Sequence, residues 1–137
     1  MDNPKADLVR SWLKKAQRDL GSARRLGKEP DAYLDTAIYH CQQAAEKALK
    51  AFLVNHDIEF EKTHHLGTLL DLCTWVEPNF KRMSDAASNL APYATAFRYP
   101  DEFFEEEPEK EEFNLALEQA GRFVAFVSGL LPKDVLP

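Results

Sequence analysis

The chain has 137 residues, 45% of them hydrophobic and 29% charged, with a formal net charge of −6, a balance expected of one soluble domain built on one core. It contains no apolar run long enough to span a bilayer and no charged n-region followed by an apolar h-region, so a cytoplasmic protein is expected and a membrane protein excluded. Its two cysteines, Cys41 and Cys73, lie among apolar neighbours with no CxxC pair, which predicts buried free thiols and no metal centre.

Asn3-Pro4 has the form of a helix start, with Asn3 as N-cap and Pro4 at the first helical position. The first helix then runs to about Leu26, with Val9, Leu13, Ala16, Leu20 and Ala23 as its apolar stripe and Trp12 beside it. Gly27 supplies a C-cap, and Glu29-Pro30-Asp31 opens the second helix. That helix, from about Asp31 to Asn55, is the centre around which the chain is organised. Ala37, Cys41, Ala44, Ala45, Ala48, Leu49 and Phe52 cover roughly half its circumference at ~100° per residue, an arc wide enough for several neighbours. The opposite stripe carries His40, Gln43, Lys47 and Lys50, bordered by Tyr39, Gln42 and Glu46. Two long helices joined by a short loop imply an antiparallel pair.

Residues 56–63 form a polar connection, and Thr63 is placed to cap a third helix bearing Leu66, Leu69, Leu70, Leu72, Cys73 and Val76. A fourth helix is expected from Pro78 or Asn79 to about Phe97, with Met83, Ala86, Ala87, Leu90 and Ala94 facing inward and a kink or break near Leu90 caused by Pro92. Arg98-Tyr99-Pro100 ends it, because the residue before a proline avoids helical dihedrals. Pro108 opens the last helix, whose stripe is Phe113, Ala116, Leu117, Ala120, Phe123, Val124, Val127 and Leu131, and Leu131-Pro132 closes it. No stretch alternates with a two-residue period. The predicted fold is all-α, an up-and-down antiparallel helical bundle of four long helices plus one short helix.

Charge is unevenly distributed. Residues 101–112 hold eight acids and one base, whereas residues 5–28 hold eight bases and two acids. The two segments either neutralise each other or leave a basic face for a polyanion, with the acidic segment flanking or masking it.

Three pieces in chain order match one family: Ala37-x-x-His40-x-Gln42-Gln43-Ala44-x-Glu46-Lys47-x-x-Lys50, then Lys62-Thr63-His64-x-Leu66, then Tyr93-Ala94-x-x-Phe97-Arg98-Tyr99-Pro100. The set resembles the HEPN domain, named for its occurrence in higher eukaryotes and prokaryotes and for proposed nucleotide binding. The likeness covers roughly residues 5–130, and residues 1–137 are expected to form a single HEPN-like domain. The resemblance implies a helical bundle, a homodimer, and in many cases a minimal nucleotidyltransferase encoded alongside. It also implies contact with RNA or nucleotides. Catalytic members carry an Arg followed after four to six residues by a His. Here Arg98 is followed by Tyr-Pro-Asp-Glu-Phe-Phe-Glu, without a His, so the ribonuclease motif is incomplete. The crowd of acids that follows would also repel a phosphate backbone.

The candidate nucleotide- or RNA-binding residues are Arg98, Tyr99, His40, Gln43, Lys47, Lys50 and His64. Arg98 offers a planar fork for phosphate or carboxylate and Tyr99 a ring for stacking; the alternative is a structural salt bridge from Arg98 to Glu46. His40, Gln43 and Lys47 form either a ligand-facing stripe or a solvated, dimer-facing one. His64 and His65 diverge by ~100° on a helix and cannot easily share one ion, so His64 is a cap or interhelix hydrogen-bond donor unless it is catalytic. No metal and no cofactor are expected. A dimer is supported by aromatic residues beyond one small core's needs, Trp12, Trp75, Phe103, Phe104 and Phe126. The expected function is a dimeric nucleotide-, RNA- or partner-binding module working with a minimal nucleotidyltransferase in a two-gene, toxin–antitoxin-like system. The alternative is a ribonuclease toxin that uses Arg98 with a non-standard base such as His40 or His64.

Overall fold

Asn3 closes the start of the first helix: its Oδ1 accepts the Ala6 N–H at 3.1 Å, and Pro4 sits where no N–H is needed. The computed structural model describes residues 3–62, 65–100 and 107–137. Helix α1 spans Pro4–Leu26, α2 Leu34–Asn55, α3 Leu66–Val76, α4 Ser84–Leu90 and α5 Lys110–Leu130. No strand occurs among the described residues, so the all-α class and the order of the helices are as predicted.

The pairing of α1 with α2 is antiparallel because cross-helix partners run in opposite directions. Lys5 bonds Asp57 at 2.9 Å, Lys50 lies 5.3 Å over the Trp12 ring, and Lys47 bonds Asp19 at 2.7 Å. Between them, Asp31 takes a left-handed φ of 62° and the Tyr33 N–H donates to Leu26 O at 2.7 Å. This turn delays the start of α2 to Leu34, later than the expected Asp31. Helix α2 then packs on α1, α3 and α5 as well as on the segment after α4. Fourteen of its 22 residues are buried.

That burial corrects the picture of a polar outer face on α2. Gln42, Gln43, Glu46 and Lys50 are all buried. Lys50 donates to Glu46 at 3.1 Å with the rings of Trp12 and Phe60 beside its ammonium, and Gln43 donates to Gln42 at 2.7 Å. Charges taken from water need such partners in good geometry.

The segment expected as a fourth long helix is helical but divided. A 3-10 helix covers Pro78–Met83, α4 follows for seven residues, and a second 3-10 helix covers Ala91–Ala94. The break at Pro92 is the one its missing N–H predicts. The tight opening follows from Glu77, whose carboxylate accepts the Asn79 N–H at 3.2 Å while its carbonyl accepts the Phe80 N–H at 3.0 Å. Phe80 is thereby placed between Phe52 of α2 and Phe126 of α5, with edge-on ring contacts of 4.7 and 4.9 Å.

Two of the aromatics offered as evidence of a dimer are used inside the fold: Trp12 covers Lys50, and Phe126 packs on Phe80. Trp75 is 87% exposed; Phe103 and Phe104 lie outside the described residues. Cys41 and Cys73 are free and buried as expected, and burial pushes both thiols up to about 12. Thr63, expected to cap α3, lies outside the described residues; His65 occupies the N-cap position.

The end of α1 is locked onto α5. The Lys110 ammonium donates to Gly27 O at 2.5 Å, a cation at a helix C-terminus, and a Cβ on Gly27 would overlap the Phe113 ring. Gly27→Ala is therefore expected to destabilise the protein by ~1–3 kcal/mol in urea unfolding, and a second change, Phe113→Leu, should recover part of that loss. Equal stability of the single variant and the parent would show that the ring can move aside freely.

Candidate functional site

A carboxylate on the buried face of α1 meets two basic side chains of α2 at one point. Asp19 sits among Ala16, Leu20 and Ala23 on the inward side of α1. Its Oδ1 is 2.7 Å from His40 Nδ1 and its Oδ2 accepts from Lys47 Nζ at 2.7 Å. Burial alone would raise the Asp19 carboxyl, but the hydrogen bonds from His40 and Lys47 and the positive charge of Lys47 outweigh it and hold it below its ordinary value. An ionised carboxylate only accepts, so Nδ1 of His40 carries the proton in this contact. Nε2 has no hydrogen-bond partner among the described residues.

His40 also lines a cleft of about 270 Å³ together with Asp35, Thr36 and Tyr39 of α2 and Phe97 and Arg98 of the turn after the second 3-10 helix. That turn is held by contacts within the chain: Phe97 adopts φ 66°, rare for a bulky side chain, and its ring stacks on Tyr93 at 6.3 Å. Tyr93 is anchored in turn by its hydroxyl, which donates to Glu112 of α5 at 2.6 Å; burial and that carboxylate raise its pKa. With Phe97 so placed, the Arg98 guanidinium lies 4.0 Å from the Tyr39 ring centroid and donates to Ala94 O at 3.3 Å. Tyr99 follows at 5.7 Å from the guanidinium and is 48% exposed.

Of the residues singled out from the sequence, Arg98, Tyr99 and His40 come together here, and Lys47 joins through Asp19. Gln43 and Lys50 point into the protein, where Gln42 and Glu46 engage them. The salt bridge from Arg98 to Glu46 does not form; Arg98 ties its turn to α2 through the Tyr39 ring instead. His64 lies outside the described residues. Asp19, Asp35, Thr36 and Tyr39 are additions from the structure. For Asp19 a signal was present, since an acid on the apolar stripe of a basic helix requires a buried partner. Among the described residues there is no cluster of three or more His, Cys, Asp or Glu able to hold a metal ion.

The HEPN domain model matches residues 9–130. This chain belongs to the HEPN family. Two crystal structures are similar to it. The archaeal HEPN homologue ST0689 shares 30% identity, with 89% of this chain and 96% of that one covered and a TM-score of 0.72. TT1696 from Thermus thermophilus shares 27% identity over 91% and 99% of the two chains, with a TM-score of 0.74. No curated protein matches the chain. No helix among the described residues is long and apolar enough to cross a membrane. In this HEPN chain no His follows Arg98 through residue 105, yet an imidazole, that of His40, lines the same cleft from α2.

Because the Asp19 carboxyl is held below its ordinary value of 3.8, its contribution to stability is present above that value and is lost as pH falls through the lower folded value. Asp19→Asn should unfold more easily at neutral pH by ~1–3 kcal/mol, with the gap from the parent closing as both are titrated to acid. Urea unfolding from neutral to strongly acidic pH measures this; a gap independent of pH would show that the carboxylate's charge is not what the network uses.

Proposed function

We propose that the chain is a single HEPN-like domain over residues 1–137 that works in the cytoplasm as a homodimeric module binding a phosphate-bearing nucleotide or RNA. In this reading it acts beside a minimal nucleotidyltransferase in a two-gene, toxin–antitoxin-like pair. The binding part rests on one observation: the Arg98 guanidinium is held over Tyr39 at a cleft lined by His40. A guanidinium fixed on a ring keeps its fork edge available for phosphate oxygens, and Tyr99 adds an exposed ring for a base. Asp35 in the same cleft suits a hydroxyl or amino donor of the ligand. HEPN membership supports the dimer and the nucleotidyltransferase partner.

Isothermal calorimetry with adenine and uridine nucleotides tests the cleft. Arg98→Ala should weaken binding on the order of tenfold to a hundredfold. Light scattering should give twice the chain mass at micromolar concentration, and a tagged chain should capture a co-expressed neighbouring nucleotidyltransferase. Absence of heat with every nucleotide would overturn the nucleotide reading. A monomer would overturn the dimer.

A second reading, a ribonuclease with a non-standard site, is favoured by the Asp19–His40 contact, which fixes the ring's tautomer and leaves Nε2 as an acceptor for a proton. Cleavage of total RNA that disappears in both Arg98→Ala and His40→Ala would establish it. Intact RNA after long incubation with the parent protein would remove it.

A further inference from the structure

The outward face of α1 carries positive charge that the fold does not neutralise. Lys5 pairs with Asp57 and Arg10 with Asp7, and Asp19 is taken by His40 and Lys47. Lys14, Lys15, Arg18, Arg24, Arg25 and Lys28 have no ion-pair partner among the described residues. The described part of the acidic segment does not supply one: Glu112 accepts from Tyr93, and none of Glu107, Glu109, Glu111 or Glu112 forms an ion pair with α1.

At 3.6 residues per turn, Lys14, Arg18 and Arg25 fall within roughly 40° of one another, opposite the buried Val9, Leu13, Ala16, Leu20 and Ala23. Arg18 and Arg25 stand on either side of a shallow groove of about 210 Å³ lined also by Gly21 and Ser22. The space above Gly21 is open, since an added Cβ would meet nothing within 4 Å. Seven residues separate the two arginines, a rise of ~10.5 Å along the helix. With Lys14 one turn before Arg18, the stripe spaces its cations along the helix axis, so a ligand with repeated anionic groups can engage each of them separately. A lipid surface fits poorly, because the apolar stripe that would enter it is already buried in the bundle.

We propose that this face of α1 is a track for the phosphate backbone of a single nucleic-acid strand, a site separate from the Tyr39–Arg98 cleft and independent of the role proposed for it. The stripe holds no aromatic side chain between Lys14 and Lys28, so it reads charge and not base identity.

Gly21→Glu tests the track directly, because it sets a carboxylate between Arg18 and Arg25 at a position with room for it and without loss of helix propensity. The probe is a labelled oligouridylate of about twenty nucleotides, with anisotropy read between about 50 and 200 mM salt. Gly21→Glu should weaken binding on the order of tenfold at the lower salt and reduce the log–log salt slope by about 1.4, the value for two phosphates of a single strand. Gly21→Gln should match the parent. Lys81→Gln, the same change in net charge on a 3-10 helix that packs against α3 and α4, should match it too. The difference made by Gly21→Glu should persist in an Arg98→Ala background, so failure of the cleft reading would leave it standing. No binding by the parent, equal loss in Gly21→Glu and Lys81→Gln, or a loss confined to capture on anionic vesicles would overturn the proposal.

Discussion

A helix buried on most of its sides has to satisfy its own polar side chains, and the bundle is arranged around how α2 does this. Lys50 reaches Glu46 one turn back, Gln43 reaches Gln42, and His40 and Lys47 share the two oxygens of Asp19 on α1. The last arrangement is the most restrictive. His40 and Lys47 lie two turns apart, so both reach Asp19 only when α1 and α2 stand in one register. A slip of one turn, ~5.4 Å, would carry the carboxylate away from one of its two partners and break the shared contact. Apolar stripes alone tolerate such slips better, because alanines one turn apart present nearly the same surface.

The same network accounts for what can and cannot be read from the residues. Helix positions, the Asn3 cap, the Gly27 end and the break at Pro92 depend on local stereochemistry, and local stereochemistry is visible in a sequence. The polar stripe of α2 misleads for a different reason. Periodicity reports which residues share a face, but not whether a second layer covers that face. Here Trp12 and Phe60 cover Lys50. Within the cleft, Arg98 and His40 are legible as members of a family pattern. Tyr39 as the platform for Arg98 is not, because that contact is set by the left-handed turn at Phe97, which no propensity favours.

That turn shows how a rigid bundle positions a functional group on irregular chain. Residues 95–100 lack helical order, yet Tyr93 is pinned to Glu112 and Phe97 is stacked on Tyr93. Arg98 N–H donates to Thr95 O at 3.2 Å. The guanidinium is thereby delivered to α2 by three successive constraints, the first anchored on α5 and the other two within the 3-10 helix and the turn that follows it. Strain at one residue is sustained when the surroundings over-determine its conformation, and sites for ligands are where proteins accept that cost.

The two basic features of the molecule differ in kind, and the difference follows from what surrounds each charge. Arg98 is immobilised on an aromatic ring with an acid, Asp35, and an imidazole close by. Such mixed surroundings discriminate, because a ligand must match an anion site, a donor site and a stacking face at once. The α1 stripe offers long cationic side chains over a floor of Gly21 and Ser22, with no aromatic ring or carboxylate lining the groove beside them. Long-range attraction there is weakly selective, falls with salt, and acts over the length of a helix and not at a point. A chain with net charge −6 repels polyanions on average. Attraction of a polyanion then depends on local concentrations of positive charge, and among the described residues the unpaired cations on the outside of α1 are such a place.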